Sequence, residues 1–186
     1  MNIELTVEPV KGEMRDLQKV RQLYNRSFPD SEKAPFRYMV EPFDEVDFLS
    51  FYDGKIFVGF VYLIYYLDVS YIFYLAIDDK LRGKGYGTAV LQYIRHTHPS
   101  NRIILEIEDA SASSSDVETC LRRKNFYVKN GYVDQNVHIR MHGVPMEILS
   151  SGGSITRSEY LHLWKKLMQL FSGNDDVDAF MREMFK

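Results

Sequence analysis

Between residues 46 and 77 the chain spells three β-rich runs joined by turns of only two or three residues, and parallel strands cannot be connected over so short a distance. Val46–Tyr52 leads into Asp53-Gly54, a pair that favours a tight hairpin because both residues tolerate positive φ. Ile56–Leu67 follows, rich in Val, Ile, Tyr and Phe, and Asp68-Val69-Ser70 turns the chain into Tyr71–Ile77. An antiparallel meander is therefore expected in the middle of the protein.

The flanks alternate between the two periodicities. Residues 3–10 read as a first strand that Pro9 ends. Over 15–28, Leu17, Val20, Leu23 and Tyr24 share one helical stripe, and Ser27-Phe28-Pro29-Asp30 breaks it. A second short helix is expected over 32–40, with Pro35 inside it. Past the loop 78–87, residues 86–96 read as a helix with Ala89, Val90, Tyr93 and Ile94 inward, stopped by His98-Pro99-Ser100. Arg102–Glu108 is the next strand, and strand, helix, strand in this order predicts a right-handed parallel crossover. A loop over 110–115 and a helix over 116–130 follow, with Gly131 at the C-cap. Runs 133–142 and 145–149 make a hairpin through Gly143. A flexible joint is expected at 150–154, then an amphipathic helix over 159–171 carrying Tyr160, Leu163, Trp164, Leu167, Met168 and Phe171. An acidic break at 173–178 precedes a short terminal helix.

Length and composition exclude several classes. With 186 residues, 45% of them hydrophobic and 26% charged, the chain suits one globular domain and not a disordered segment. The net charge of −3 and the shortness of Arg122-Arg123-Lys124 and Lys165-Lys166 argue against nucleic acid as a partner. A single cysteine, Cys120, precludes an intramolecular disulfide, and the N-terminal residues lack a secretory pattern. The longest apolar stretch, 56–67, is shorter than the roughly 20 residues that span a bilayer. A cytoplasmic protein without membrane contact is expected. The five histidines show no metal-ligand spacing, so no metal is expected.

Leu75-Ala76-Ile77-Asp78-Asp79-Lys80-Leu81-Arg82-Gly83-Lys84-Gly85-Tyr86-Gly87-Thr88 carries the chemistry. A buried strand runs into a loop with glycine at alternate positions and then into a helix. Bare backbone there lets successive N–H groups face one concavity, and the helix N-terminus adds partial positive charge. Arg82 and Lys84 add full charges, so the segment suits a pyrophosphate. The Walker spacing is absent. The dinucleotide fingerprint needs glycine where Thr88 stands, and needs a parallel unit where a meander precedes.

The pattern Arg82-x-x-Gly85-x-Gly87 resembles the acyl-CoA pyrophosphate motif of the GNAT N-acetyltransferases, and the order of elements over roughly residues 1–149 is similar to that family. Phe126-Tyr127-Val128-Lys129-Asn130-Gly131-Tyr132 resembles the family's Phe-Tyr-x-x-x-Gly-Phe segment. The resemblance implies an α/β (α+β) GNAT fold over 1–149, with a mixed central sheet, an antiparallel meander, a splayed parallel strand pair and flanking helices. A helical extension over 150–186 then packs on that domain or forms a homodimer contact. It also implies acetyl-CoA as co-substrate. Arg82, Gly83, Lys84, Gly85, Tyr86, Gly87 and Thr88 would hold its diphosphate. Pantetheine would run along Leu75, Ala76 and Ile77, pairing chiefly with the backbone of Leu75 and Ile77, where an N–H would also polarise the thioester carbonyl. Tyr127 takes the place of the family's general acid beside the CoA sulfur. Cys120 stands where many members have an asparagine on the pantetheine arm. Arg122-Arg123 resembles paired arginines in a subset of the family; they contact phosphate or simply form a solvated helix face.

An amine nucleophile must be neutral to attack. Alternation along Arg102–Glu108 puts Ile104, Glu106 and Glu108 on one face. The two carboxylates act as general base, Glu106 first, or recognise a cationic substrate, or are solvated edge residues. By the same resemblance the acceptor pocket is built from the first two helices and the final hairpin, with Phe28, Glu32, Phe36 and Tyr38 near its entrance or else packing helices. Acidic groups there would suit a polyamine, an aminoglycoside or a protein N-terminus. The expected function is acetyl transfer from acetyl-CoA to a primary amine of a small molecule or protein, by direct attack through a tetrahedral intermediate. The alternative is a non-catalytic acyl-CoA-binding sensor or regulatory domain.

Overall fold

Strand β1 (Thr6–Pro9) pairs antiparallel with β2 (Val46–Asp53). Helices α1 (Leu17–Ser27) and α2 (Phe36–Met39) lie between them in sequence. Strands β3 (Ile56–Tyr66) and β4 (Val69–Ile77) complete the meander, and α3 (Tyr86–Thr97) follows. These elements come from a computed structural model that describes residues 3–111 and 117–172, with side chains placed as far as Met168. Most of the expected loop 110–115, the helix start at Asp116, the side chain of Phe171, the acidic break 173–178 and the terminal helix lie outside the described residues. The chain divides into two units, Met1–Asn101 and Arg102–Lys186.

In the first unit the aromatic content finds its use. Phe48 and Phe60 meet Tyr24 and Phe36 from α1 and α2 through tilted and edge-on ring contacts, while Phe51 on the opposite strand face meets Tyr93 of α3. Val20, Leu23 and Tyr24, the stripe legible in the sequence, are fully buried.

Two expectations are corrected here. The second meander turn is Leu67-Asp68, not 68–70, because Tyr66 already pairs with Val69. Leu67 sits at φ 53°, while Val69 is buried and the Ser70 hydroxyl receives the Asn101 amide at 2.9 Å. The second helix is confined to Phe36–Met39 behind a 3-10 turn at Asp30–Glu32. Pro35 takes its N-cap position: the ring disfavours helical geometry at the preceding residue and removes a donor.

β4 is irregular at its centre. Tyr62 opposes Tyr74 and Leu63 opposes Ile72, so Phe73 is an extra residue, a β-bulge. Beyond it the strands approach closely: a Cβ on Gly59 would stand 2.2 Å from the Ala76 carbonyl oxygen.

In the second unit, β5 (Arg102–Glu108) and β6 (Val133–Met141) both pair antiparallel with β7 (Val144–Ser151), giving the order β5-β7-β6. Helix α4 (Val117–Lys129) ends with Gly131 at φ 83°, as a C-cap requires. The β6–β7 turn is His142-Gly143, both at positive φ. β7 runs two residues into the expected joint, because Ser150 and Ser151 stay paired with β5. Helix α5 (Arg157–Ser172) starts from a reciprocal cap, in which Thr156 Oγ1 accepts from the Glu159 N–H and a Glu159 carboxylate oxygen accepts from the Thr156 N–H. Tyr160, Leu163, Trp164 and Leu167 are buried, and Arg102 grips Ser154 and Glu159 at 2.8 Å each.

Candidate active site

The glycine turn has the backbone needed to present amides. Gly83 and Gly85 lie at φ 76° and 89°, the left-handed region that residues with a Cβ rarely adopt. Gly85 is the N-cap of α3 and has no side chain to cap it. The first intrahelical bond runs from the Ala89 N–H to the Gly85 carbonyl at 3.1 Å, so the N–H groups of Tyr86, Gly87 and Thr88 have no intrahelical acceptor. They form the positive end of a twelve-residue helix, suited to an anion. Gly87 differs from its neighbours: it is inside α3 and not at positive φ, so no left-handed backbone requires glycine there.

Side chains hold this turn in place. Asp79 receives Arg26 at 2.9 Å and Arg82 at 2.8 Å, and Asp78 receives Arg26 at 2.8 Å. The Tyr86 hydroxyl donates to Asp53 at 2.6 Å, which raises the phenol pKa. Arg82 is therefore a positioning group as well as a charge. Lys84 is exposed.

Upstream, the Asp78 N–H donates to the Val58 carbonyl at 2.8 Å. In an antiparallel ladder this fixes the phase: Ala76 turns its backbone groups toward β3, and Leu75 and Ile77 turn theirs away. Leu75 and Ile77 are half-exposed, whereas Ala76 is buried, so the backbone-pairing part of the expectation rests on its two neighbours.

In the second unit, Tyr127 projects from α4 with 9% exposure and packs edge-on against Tyr132 and Phe126. Burial pushes its phenol pKa up to about 12, with the Arg123 charge opposing. Its hydroxyl has no hydrogen-bond partner among the described residues, and it is a protonated donor at neutral pH. Cys120, two turns earlier, is buried and donates its thiol to Glu108 Oε2 at 3.1 Å. Arg123 lies 3.8 Å from the other oxygen of Glu108. Glu106 is separated from that cluster: its Oε1 accepts from the Trp164 indole at 3.0 Å, and the indole also donates to the Tyr160 hydroxyl. The two carboxylates that alternation grouped thus serve different helices.

The acceptor candidates fall into two kinds. Phe28 and Phe36 pack against Tyr24, with Phe28 also 4.7 Å from Tyr74. Glu32 lends its carbonyl to the Tyr74 hydroxyl at 2.6 Å, and that hydroxyl accepts from the Ala34 N–H at 3.0 Å. Tyr38 is 40% exposed and lies under the Arg37 guanidinium, 4.7 Å from ring centre.

Sequence reading missed a second acidic cluster. Glu147 of β7 is 1% exposed, and its Oε2 receives Lys124 of α4, which also reaches Asp134 at 3.0 Å. Burial raises the Glu147 pKa, and its Oε1 lacks a hydrogen-bond partner among the described residues. The signal available was a lone charge inside the apolar run Val144–Leu149. The bulge at Phe73 had no sequence signal. Among the described residues no group of three or more His, Cys, Asp or Glu is placed to hold a metal, and no helix is long and apolar enough to cross a membrane.

Residues 17–132 match the sequence model of the Acetyltransferase (GNAT) family. Curated proteins compared by sequence give no match. A GNAT-family protein from Bacteroides thetaiotaomicron has a similar structure, at 21% identity and TM-score 0.74, over 90% of this chain and 98% of that one. A spermidine N-acetyltransferase variant from Vibrio cholerae aligns at 18% identity and TM-score 0.57, over 84% and 96% of the two chains. A GNAT acetyltransferase from Elizabethkingia anophelis with acetyl-CoA bound aligns at 13% and TM-score 0.55, over 79% and 97%. The α/β fold, the glycine turn at the head of α3 and a sequence match covering more than half of the protein lead to one assignment: the chain belongs to the GNAT acetyltransferase family.

Proposed function

We propose that the protein is an acetyl-CoA-dependent N-acetyltransferase acting on a primary amine of a small molecule or protein in the cytoplasm. The observation that carries this reading is the set of amides at Tyr86–Thr88, which have no intrahelical acceptor, behind two left-handed glycines. In this proposal those amides, with Arg82 and Lys84, hold the CoA diphosphate. Pantetheine pairs with the outward backbone groups of Leu75 and Ile77 like an added strand, with Cys120 in the position of the family's asparagine. The neutral amine attacks the thioester carbonyl, whose developing oxyanion a backbone N–H stabilises, a contribution typically worth about 3 kcal/mol. The tetrahedral intermediate collapses, and Tyr127 gives its proton to the departing thiolate. Glu106, oriented by Trp164, is the proposed base. Glu108 is assigned instead to holding Cys120 and Arg123. Residues 1–149 constitute the catalytic domain in this reading, and 150–186 an extension to it.

A polyamine, as for the spermidine enzyme of Vibrio cholerae, is one acceptor class to test first. Thiol release from acetyl-CoA across a panel of polyamines, aminoglycosides and peptides tests the proposal. The engagement of both Glu106 and Glu108 with neighbouring side chains favours a second reading, an acyl-CoA sensor. Tight CoA binding with no thiol release for any amine would establish the sensor and reject the enzyme.

A further inference from the structure

Beside its buried stripe, α1 carries a second one. Lys19, Gln22 and Arg26 stand at i, i+3 and i+7 along one flank and line a cleft of about 320 Å³. The other walls are Lys55, Ile56 and Phe57 at the start of β3, and Asp78, Lys80 and Leu81 after β4. The volume falls within the range of small-molecule sites.

The charges of this cleft are unbalanced in a specific way. Arg26 is neutralised by Asp78 and Asp79, and Lys19 by Asp16 at 3.1 Å. Lys55 and Lys80 line the same cleft and have no ion-pair partner among the described residues. Both lysines are exposed on the lining of one concavity, where like charges raise the local positive potential and a bound anion is favoured. The cleft also has an apolar side. Ile56 is 54% exposed, and Leu81 is half-buried beside it, a surface that a hydrocarbon or ring would remove from water.

We propose that this cleft binds a small organic anion, a phosphate or carboxylate on an apolar body, with Lys55 and Lys80 as its charge partners and Ile56 and Leu81 against its body. The site lies outside Arg82–Thr88, and Lys55 and Lys80 take no part in the transfer chemistry proposed above. It therefore stands whether or not the amine-acetylation reading does.

The test is calorimetric titration of the full chain with phenyl phosphate and, separately, with benzoate, against a K55E/K80E variant and a Gly85→Val variant. One of the two probes is expected to saturate at one site per chain, which identifies the anionic group. Its affinity should fall at least tenfold in K55E/K80E and weaken with added salt, while CoA affinity and circular dichroism stay at wild-type values. Gly85→Val should leave the probe's affinity unchanged. A K55Q/K80Q variant, which cannot be blamed on charge reversal, should show the same direction of effect. The proposal fails if neither probe saturates by about 10 mM, a concentration equivalent to less than 3 kcal/mol of binding. It fails equally if binding survives K55E/K80E and K55Q/K80Q, or if Gly85→Val abolishes it, which would place the anion on the glycine turn.

Discussion

Gly87→Ala separates folding from CoA recognition, because the position is helical and needs no left-handed backbone. Alanine in a helix is better than glycine by up to about 1 kcal/mol, so the variant should be at least as stable as the wild type. For a chain of this size that is a rise of up to roughly 4 °C in Tm. If the diphosphate is held on the N–H groups of Tyr86, Gly87 and Thr88 in the first turn of α3, a methyl group added within that turn limits its approach. Holding a phosphate off one of these donors forfeits one charge-assisted hydrogen bond, worth about 1.5–3 kcal/mol. The CoA dissociation constant should rise by roughly 10- to 150-fold. Thermal denaturation and CoA titration on the same sample read the two effects independently. A variant with unchanged Tm and unchanged CoA affinity would refute the argument that these amides clasp the diphosphate.

Tyr127→Phe should spare CoA binding and stability, since the hydroxyl has no partner among the described residues, and lower kcat by about 100- to 10,000-fold. Steady-state kinetics checks this, and an unchanged kcat removes Tyr127 from the acid role. Because burial raises the Tyr127 pKa to about 12, above its unfolded value near 10, its contribution to stability is complete below pH 10 and is lost as pH rises through 12. Over that window the wild type should lose roughly 2–3 kcal/mol more unfolding free energy than Tyr127→Phe, the other buried tyrosines contributing equally to both. Gly59→Ala drives a Cβ to 2.2 Å from the Ala76 carbonyl oxygen and should cost about 2–4 kcal/mol in denaturant unfolding. A change below about 0.5 kcal/mol would show that β3 and β4 separate freely there. Lys124→Met strands the buried Glu147 carboxylate and should destabilise the fold by about 3–5 kcal/mol at neutral pH. Stability measured near pH 4 should recover part of that loss as Glu147 takes up a proton, its pKa already raised by burial.

The residues that announced themselves in sequence did so through local physics. β-rich runs and the turn signal at Asp53-Gly54 pointed to the meander, whose first turn is Gly54-Lys55 because Asp53 stays paired with Ile56, and the 3.6-residue stripe of α1 specified its buried face; both depend on neighbours along the chain. Gly83 and Gly85 were legible for the same reason: positive φ is a property of one residue. The length of the second helix was misjudged because the steric reach of Pro35 outweighed its flanking pattern. The turn at Leu67-Asp68 was missed because leucine gives no warning of a left-handed backbone.

What tertiary structure alone decided is which polar groups meet. Period-two alternation placed Glu106 and Glu108 together, yet one answers to Trp164 of α5 and the other to Cys120 of α4, partners 58 and 12 residues away. The bulge at Phe73 is defined only by the register between β3 and β4, which local sequence does not record. The burial of Glu147 beside Lys124 depends on a helix crossing a strand. Hydrogen bonds and desolvation act over a few ångströms of space, and the sequence records distance only along the chain.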